Sequence, residues 1–152
     1  SEIACRDFFL DKGLQPIVTT DDSFRVYQFN NIALYQGDFF ALKANKFTAF
    51  DWVYDRAALI ALPKDMQQQY VDHLTSYLQD GTKLILVSLE FPEEELSGPP
   101  FPVFAADIER LFKGYKVECV YTHELADKQF AQRRFNVSKL VESAYIISIA
   151  NE

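Results

Sequence analysis

The stretch Phe50-Asp-Trp-Val-Tyr-Asp-Arg-Ala-Ala-Leu-Ile-Ala-Leu-Pro63 carries two different structural signals. Its first half is a short run of mainly aromatic and β-branched residues closed by Asp55, which predicts a strand buried on both faces. Its second half favours helix and is punctuated by Pro63. Asp55 and Arg56 therefore lie at the end of a predicted central strand. Because ligands of open α/β sheets bind outside the carboxyl ends of the strands, we expect a small-molecule site there.

Helical and strand patterns alternate on both sides of this stretch. The sequence predicts helices over 1–12, 64–80 and 105–114, and strands over 24–29, 31–36, 50–55, 83–90, 115–121 and 140–149. Residues 15–23 are predicted to form a polar loop, and residues 124–134 a polar and mobile one. The alternation predicts an α/β fold with a mostly parallel sheet. The last two strands are expected to add an antiparallel edge, and no domain boundary is evident in 1–152.

Composition excludes several classes of protein. The 49% hydrophobic content argues for a packed globule, and the net charge of −7 argues against general nucleic-acid binding. The sequence contains no apolar run long enough to span a membrane. Cys5 and Cys119 match no metal spacing, so we expect a free buried thiol at each, no bound metal and a cytoplasmic location.

Three motifs occur in order along the chain: Tyr35-Gln-Gly-Asp-Phe-Phe40, Asp55-Arg-Ala-Ala-Leu-Ile-Ala-Leu-Pro63 and Gly98-Pro-Pro-Phe101. With the strand–helix pattern between them, they resemble the thiopurine S-methyltransferase family, most closely its bacterial members, over essentially the whole chain. The resemblance implies a Rossmann-like class I methyltransferase fold that uses S-adenosylmethionine. It also implies methyl transfer to a thiol of a heterocyclic, thiopurine-like acceptor, without a catalytic nucleophile from the protein.

The resemblance also points to family features that residues 1–152 do not contain. Family members begin with a substrate-side helix, a first strand with a phosphate-loop-like turn, and a second strand ending in an acid. Ser1-Glu2-Ile3 resembles the helix that follows that second strand. In a sheet of order 3-2-1-4-5, the missing strands would lie between the strands at 32–36 and 50–55. We therefore expect a partial methyltransferase domain, inactive or nearly so by itself, with an exposed strand edge prone to pairing.

The cofactor-side candidates are Asp38, Phe39 and Arg56. On the residues alone, Asp38 is a turn residue bonded to its own backbone. The resemblance instead places Asp38 and Phe39 beside the adenine of the cofactor, where a carboxylate can accept from an exocyclic amine and a ring can stack on a purine. Arg56 matches a family arginine assigned to the cofactor site, and its alternative is a salt bridge with Asp55.

The acceptor-side candidates are Arg133 and Arg134. The family has a substrate-orienting arginine in this region, and the choice between the two is open; their alternative is a solvated basic pair. The loop 97–102 is either a lid over the substrate or a proline-stiffened connector. His73 is expected to be structural, and His123 follows a strand end as a weaker candidate.

Two further hypotheses compete with methyl transfer. The first is a non-catalytic α/β domain that binds a small molecule. The second is a nucleotide-dependent oxidoreductase, which is disfavoured because the sequence contains no Gly-x-Gly-x-x-Gly motif. If the protein is a methyltransferase, we expect the intact protein to be a monomer that acts on a small-molecule thiol, with no nucleic-acid or membrane partner.

Overall fold

The structure is a computed structural model that describes residues 1–149. The chain forms two compact units, residues 1–43 (the N-terminal unit) and the residues from 44 onward (the C-terminal unit). The helices are α1 (Glu2–Leu10), α2 (Lys64–Thr75) and α3 (Ala105–Leu111). The strands are β1 (Ile17–Asp21), β2 (Phe24–Phe29), β3 (Ile32–Gln36), β4 (Trp52–Arg56), β5 (Lys83–Glu90), β6 (Tyr115–Glu124), β7 (Gln129–Phe130), β8 (Arg133–Arg134) and β9 (Val141–Ile149). The single domain predicted over 1–152 stays a prediction.

Helix α1 begins where the sequence predicts it. The side chain of Ser1 accepts a hydrogen bond from the Ala4 amide at 3.3 Å, which satisfies one of the free donors at the helix start. The apolar residues Ile3 and Leu10 are exposed, and Phe9 is the fully buried residue. Helix α1 packs on β3, and Phe9 supplies its core contact.

The N-terminal unit also contains an antiparallel sheet of order β1-β2-β3. The two strands predicted over 24–29 and 31–36 form an antiparallel hairpin, β2–β3, with Asn30 at φ +52 in its turn. Strand β1 lies in the stretch that we predicted to be a loop, and that prediction is wrong. All five residues of β1 are exposed, so no apolar alternation marks the strand, and pairing with β2 decides its conformation. Since β3 pairs with β2 in this separate sheet, the order 3-2-1-4-5 stays a prediction.

The C-terminal unit is built on a mixed sheet of order β4-β5-β9-β6. Among the described strands, β4 and β5 are parallel, whereas the other pairings are antiparallel, so the prediction of a mostly parallel sheet is wrong. The reason is that β9 inserts between β5 and β6 and runs against both. The antiparallel pairing of the last two long strands is confirmed. Burial of β4 on both faces is also wrong, because Trp52 is 53% and Tyr54 64% exposed on a strand at the end of the sheet.

The segment after β4 does not form the predicted helix. It makes a single 3₁₀ turn at Leu59–Ala61. Ala57 has φ +78, a conformation that an α-helix cannot continue through. The carboxylate of Asp55 also accepts the backbone N–H of Ala58 at 3.0 Å, which fixes the chain in a turn.

Helix α2 begins at Lys64 as predicted, and Tyr70 lies on its buried side. It ends at Thr75 and not at Asp80 as predicted. The hydroxyl of Ser76 donates to the carbonyl of His73 at 2.6 Å, and such local bonding competes with continuation of the helix.

Residues 124–134 are more ordered than the predicted polar, mobile loop. Glu124 belongs to β6, and β7 and β8 form a two-stranded hairpin with Phe130 opposite Arg133. Phe130 is buried and gives this polar segment an apolar anchor, which its overall composition conceals.

The two cysteines are free, as predicted, but they are not buried. Cys5 is partly exposed, and Cys119 is exposed because it lies on β6, the strand at one end of its sheet. Within residues 1–149, no helix is long and apolar enough to cross a membrane.

Candidate active site

Asp55 anchors the turn that follows β4. Its side chain is buried and accepts hydrogen bonds from the Tyr70 hydroxyl at 2.8 Å and from the N–H groups of Ala58 at 3.0 Å and Leu59 at 3.3 Å. Burial raises the pKa of Asp55, although all three hydrogen bonds favour the charged form. Burial and the neighbouring carboxylate also raise the pKa of Tyr70. These contacts tie Asp55 to the fold rather than to a ligand.

Arg56 lies on the opposite face of β4 from Asp55. Its guanidinium carbon is 4.7 Å from the centroid of the Phe130 ring, and its Nη2 is 4.0 Å from Oε2 of Glu142. The alternative of a salt bridge with Asp55 is therefore wrong, because neighbouring residues of a strand point to opposite faces. The Arg56 side chain is 42% exposed, so its remaining donors can reach a ligand.

A cavity of about 240 Å³ lies beside the turn after β4. Three segments of the C-terminal unit line it: the turn with Ala57, Ile60 and Ala61, the loop with Pro99 and Pro100, and the β7–β8 region with Phe130, Ala131, Arg133 and Phe135. The lining is mainly apolar and aromatic, with one guanidinium. Such a cavity suits a small, flat, apolar molecule that carries a negative or polar group.

The structure separates the two arginines of β8. Arg133 lines the cavity, and its guanidinium carbon is 5.2 Å from the centroid of the Phe135 ring. Arg134 is exposed and is not among the described residues that line the cavity. Alternation along β8 accounts for the difference.

The loop 97–102 forms one wall of the cavity. Its Gly98–Pro99 and Pro99–Pro100 peptide bonds are cis. The Phe101 amide donates to the Ile60 carbonyl at 2.6 Å, which joins the loop to the turn after β4. The hydrogen bond between Phe101 and Ile60 holds the loop against the cavity. This position suits both predicted alternatives, a lid over the substrate and a proline-stiffened connector.

Asp38 and Phe39 lie in the N-terminal unit, and Asp38 caps the 3₁₀ turn Phe39–Ala41. Its Oδ1 accepts from the Phe40 amide at 3.0 Å, so the expected bond to its own backbone is present. Asp38 is exposed and Phe39 partly exposed. A carboxylate has more acceptor positions than this one bond uses, so Asp38 can accept further hydrogen bonds.

Two other side chains, those of Glu90 and His73, are not among the described residues that line the cavity beside the turn after β4. Glu90 lines a second cavity with Lys139 and Phe104, and its pKa is raised by burial. His73 packs edge-to-face against Tyr77, in agreement with the structural role expected for it. In the described part of the chain, no group of His, Cys, Asp and Glu side chains could hold a metal ion.

Sequence reasoning missed the partners of the arginines. Phe130, Phe135 and Glu142 contact Arg56 or Arg133, and none of them was singled out. Two aromatic residues that flank the Arg133-Arg134 pair were a usable signal, because arginine often stacks on aromatic faces. The contact of Arg56 with Glu142 joins β4 to β9, and no local sequence pattern predicts it.

Comparison with known proteins gives a consistent result. The family model of thiopurine S-methyltransferase matches residues 1–149. The thiopurine S-methyltransferases of Vibrio campbellii and Vibrio parahaemolyticus are 38% and 39% identical to the chain over 148 residues, which is 97% of this chain and 67% of each relative. That of Photobacterium profundum is 37% identical over 150 residues, 99% of this chain and 68% of the relative. The chain thus spans about two thirds of the length of these relatives.

Proposed function

Since the chain belongs to the thiopurine S-methyltransferase family of S-adenosylmethionine-dependent enzymes, we propose that the intact protein methylates a thiol of a heterocyclic, thiopurine-like acceptor. The observation that carries the proposal is the cavity lined by Arg133, Phe130 and Phe135. Its aromatic and proline walls suit a flat ring, and its guanidinium suits an anionic sulfur or ring nitrogen.

The proposed role of Arg133 is to bind and orient the acceptor. A neighbouring positive charge favours the thiolate over the thiol, and the thiolate is the reactive nucleophile. Stacking on Phe135 limits the positions that the guanidinium can take. Methyl transfer of this kind depends mainly on positioning and on exclusion of water, so no residue of the chain is assigned as a nucleophile.

The proposed cofactor contacts are Asp38 and Phe39 for the adenine and Arg56 for a carboxylate or polar group. S-adenosylmethionine, when bound, supplies an electrophilic methyl group on a sulfonium sulfur. The Phe130 ring and Glu142 contact the Arg56 guanidinium and restrict its orientation before a ligand binds.

We propose that the 152-residue chain is not sufficient for methyl transfer. It contains no Gly-rich turn after a strand that could hold the methionine part of the cofactor. Calorimetric titration of this chain with S-adenosylmethionine should give weak or no binding. Low-micromolar binding would contradict the proposal.

The main test compares Arg133→Ala with Arg134→Ala in the intact protein. Loss of one charge-assisted contact lowers kcat/KM for a heterocyclic thiol by about 10–150-fold for Arg133→Ala. Arg134→Ala is matched in charge and strand, and we expect a change of less than about threefold. Equal losses would show that the cavity is not the acceptor site.

The same assay addresses the non-catalytic alternative. If the intact protein binds heterocyclic thiols in the cavity but transfers no methyl group, the small-molecule-binding domain replaces the enzyme as the best hypothesis. We further propose that the intact protein acts as a cytoplasmic monomer without nucleic-acid or membrane partners, which its acidic composition and free cysteines support.

A further inference from the structure

An uncommon backbone conformation recurs at the walls of the cavity. Within residues 1–149, the non-glycine residues with positive φ are Asp22, Asn30, Ala57, Lys128 and Ala131. Two of them are alanines, Ala57 at φ +78 and Ala131 at φ +55, and both line the cavity. The two alanines come from different segments, the turn after β4 and the β7–β8 turn, so one local turn does not explain why both have positive φ.

Alanine has no local compensation for this conformation. Asp and Asn tolerate positive φ because their side chains can bond to the nearby backbone, and glycine tolerates it because it has no Cβ. An alanine methyl does neither, and it crowds the backbone. Strained residues of this type persist only where their surroundings fix them, and they concentrate at functional sites.

Both alanines are held by neighbouring contacts. Ala57 precedes two residues whose amides donate to the buried Asp55 carboxylate. Ala131 is the first of the two residues that connect β7 and β8, a position where two-residue hairpin turns often have glycine. Its carbonyl accepts from Nε2 of Gln129 at 3.2 Å.

We infer that the methyl groups of Ala57 and Ala131 set the size of acceptor that the cavity admits. Glycine at either position would relieve the backbone and enlarge the cavity, so alanine is the less stable and more restrictive choice. This inference rests on the proposed function, because it takes the cavity to be the acceptor site. It assigns size specificity to two alanines of the cavity lining, and the binding of the sulfur stays with Arg133.

The test uses Ala57→Gly, Ala131→Gly and the double variant in the intact protein. The matched control is Asn30→Gly, which replaces another positive-φ residue (φ +52) in the β2–β3 turn of the N-terminal unit. Two probes are used under reducing conditions, thiophenol with one ring and 2-naphthalenethiol with two. Dissociation constants come from titration, and kcat/KM from methyl transfer.

We expect each cavity variant to shift the ratio of the two affinities towards the two-ring thiol by about tenfold, as for a pocket that gains the volume of one methyl group. The ratio of kcat/KM should shift in the same direction. Asn30→Gly should leave both ratios unchanged. Thermal melting separates these effects from folding, since glycine should not lower Tm at Ala57 or Ala131.

The outcomes distinguish the inference from the proposal beneath it. If the unsubstituted protein binds both thiols and the variants leave the ratio unchanged, the size-selection inference fails and the acceptor site stands. If a cavity variant melts at lower temperature than the unsubstituted protein, the strain argument fails. If the unsubstituted protein binds neither thiol, the acceptor site itself fails and the inference falls with it.

Discussion

The two faces of the sheet in the C-terminal unit differ sharply in burial. On the face that carries Asp55, the paired residue Leu86 is fully buried, whereas on the face that carries Arg56 the side chains of Trp52 and Tyr54 are more than half exposed. We call these the closed face and the open face. Asp55 and Arg56 are adjacent in sequence, yet one is enclosed by the fold and the other remains accessible.

This contrast indicates how one strand can serve stability and binding together. On the closed face, a charged group is tolerated only when several donors satisfy it, and those donors become part of the fold. On the open face, a charged group stays hydrated, and some of its donors remain available to a ligand. Substitutions at Asp55 and Arg56 should therefore affect different measurements.

The largest expected effect comes from Asp55→Ala. The substitution leaves the Tyr70 hydroxyl and the amides of Ala58 and Leu59 without their acceptor. We expect the free energy of unfolding to fall by about 3 kcal/mol, because unsatisfied buried donors are costly. Urea denaturation measures the loss. Asp51→Ala, an exposed carboxylate just before β4, should change stability by less than about 0.5 kcal/mol; equal losses would remove the distinction between the faces.

The second effect is on activity. Arg56→Ala in the intact protein should lower methyl transfer by about 10–150-fold, the value of one charge-assisted contact. The unfolding free energy should change little, because the guanidinium is part-exposed and its ion pair is long. Arg56→Lys keeps the charge and loses the planar stack on Phe130, so it tests whether geometry matters. An unchanged rate in both variants would mean that Arg56 only contacts Glu142 and Phe130.

The sequence predicted the elements whose residues carry a strong pattern. Strand β5 has the predicted bounds, and β9 lies within the predicted stretch, because both are rich in apolar and β-branched residues. Strand β1 was missed because all five of its residues are exposed, and the β7–β8 hairpin because its strands are only two residues long. For such short strands, pairing with a neighbour decides the conformation, and a single segment does not contain that information.

The candidate site was predicted in part for a similar reason. Arg56 follows from a motif, whereas the resemblance left the choice between Arg133 and Arg134 open. The Phe135 ring lies two residues from Arg133, but the Phe130 ring reaches Arg56 only through tertiary packing. Placing both Asp55 and Arg56 at the ligand rim overlooked the alternation of a strand, which sends one of the two inward. Tyr70, the partner of Asp55, lies fifteen residues further along the chain, and no local pattern links the two residues.

A smaller effect is expected within the closed face. The Ser88 hydroxyl is fully buried and has no hydrogen-bond partner among the described residues, whereas Ser143, directly opposite on β9, bonds Thr122 at 3.1 Å. Ser88→Ala should raise the free energy of unfolding by about 1 kcal/mol, because it removes an unsatisfied group. Ser143→Ala is the matched control and should lower it by about 1 kcal/mol. A loss of stability in both variants would show that Ser88 has a partner in solution.

The last effect is the pH dependence that Asp55 adds to stability. Its pKa in the folded protein is raised by burial, whereas in the unfolded chain an aspartate has a pKa of about 3.9. Between these two values the folded state binds more protons than the unfolded state, so this group's contribution to stability rises as the pH falls. The contribution is complete below the unfolded pKa and is lost as the pH rises through the folded pKa. Asp55→Asn cannot titrate there, so the stability of the native protein minus that of Asp55→Asn should increase from neutral pH towards pH 4. The size is about 1.4 kcal/mol for each unit by which the pKa is raised.

Tyr70→Phe sharpens the test, because the Tyr70 hydroxyl stabilises the charged carboxylate. Without that donor the pKa of Asp55 should rise further, and the loss of stability should shift to higher pH. If the difference between the native protein and Asp55→Asn instead falls as the pH is lowered, the hydrogen bonds outweigh burial, and the closed face holds Asp55 in its charged form.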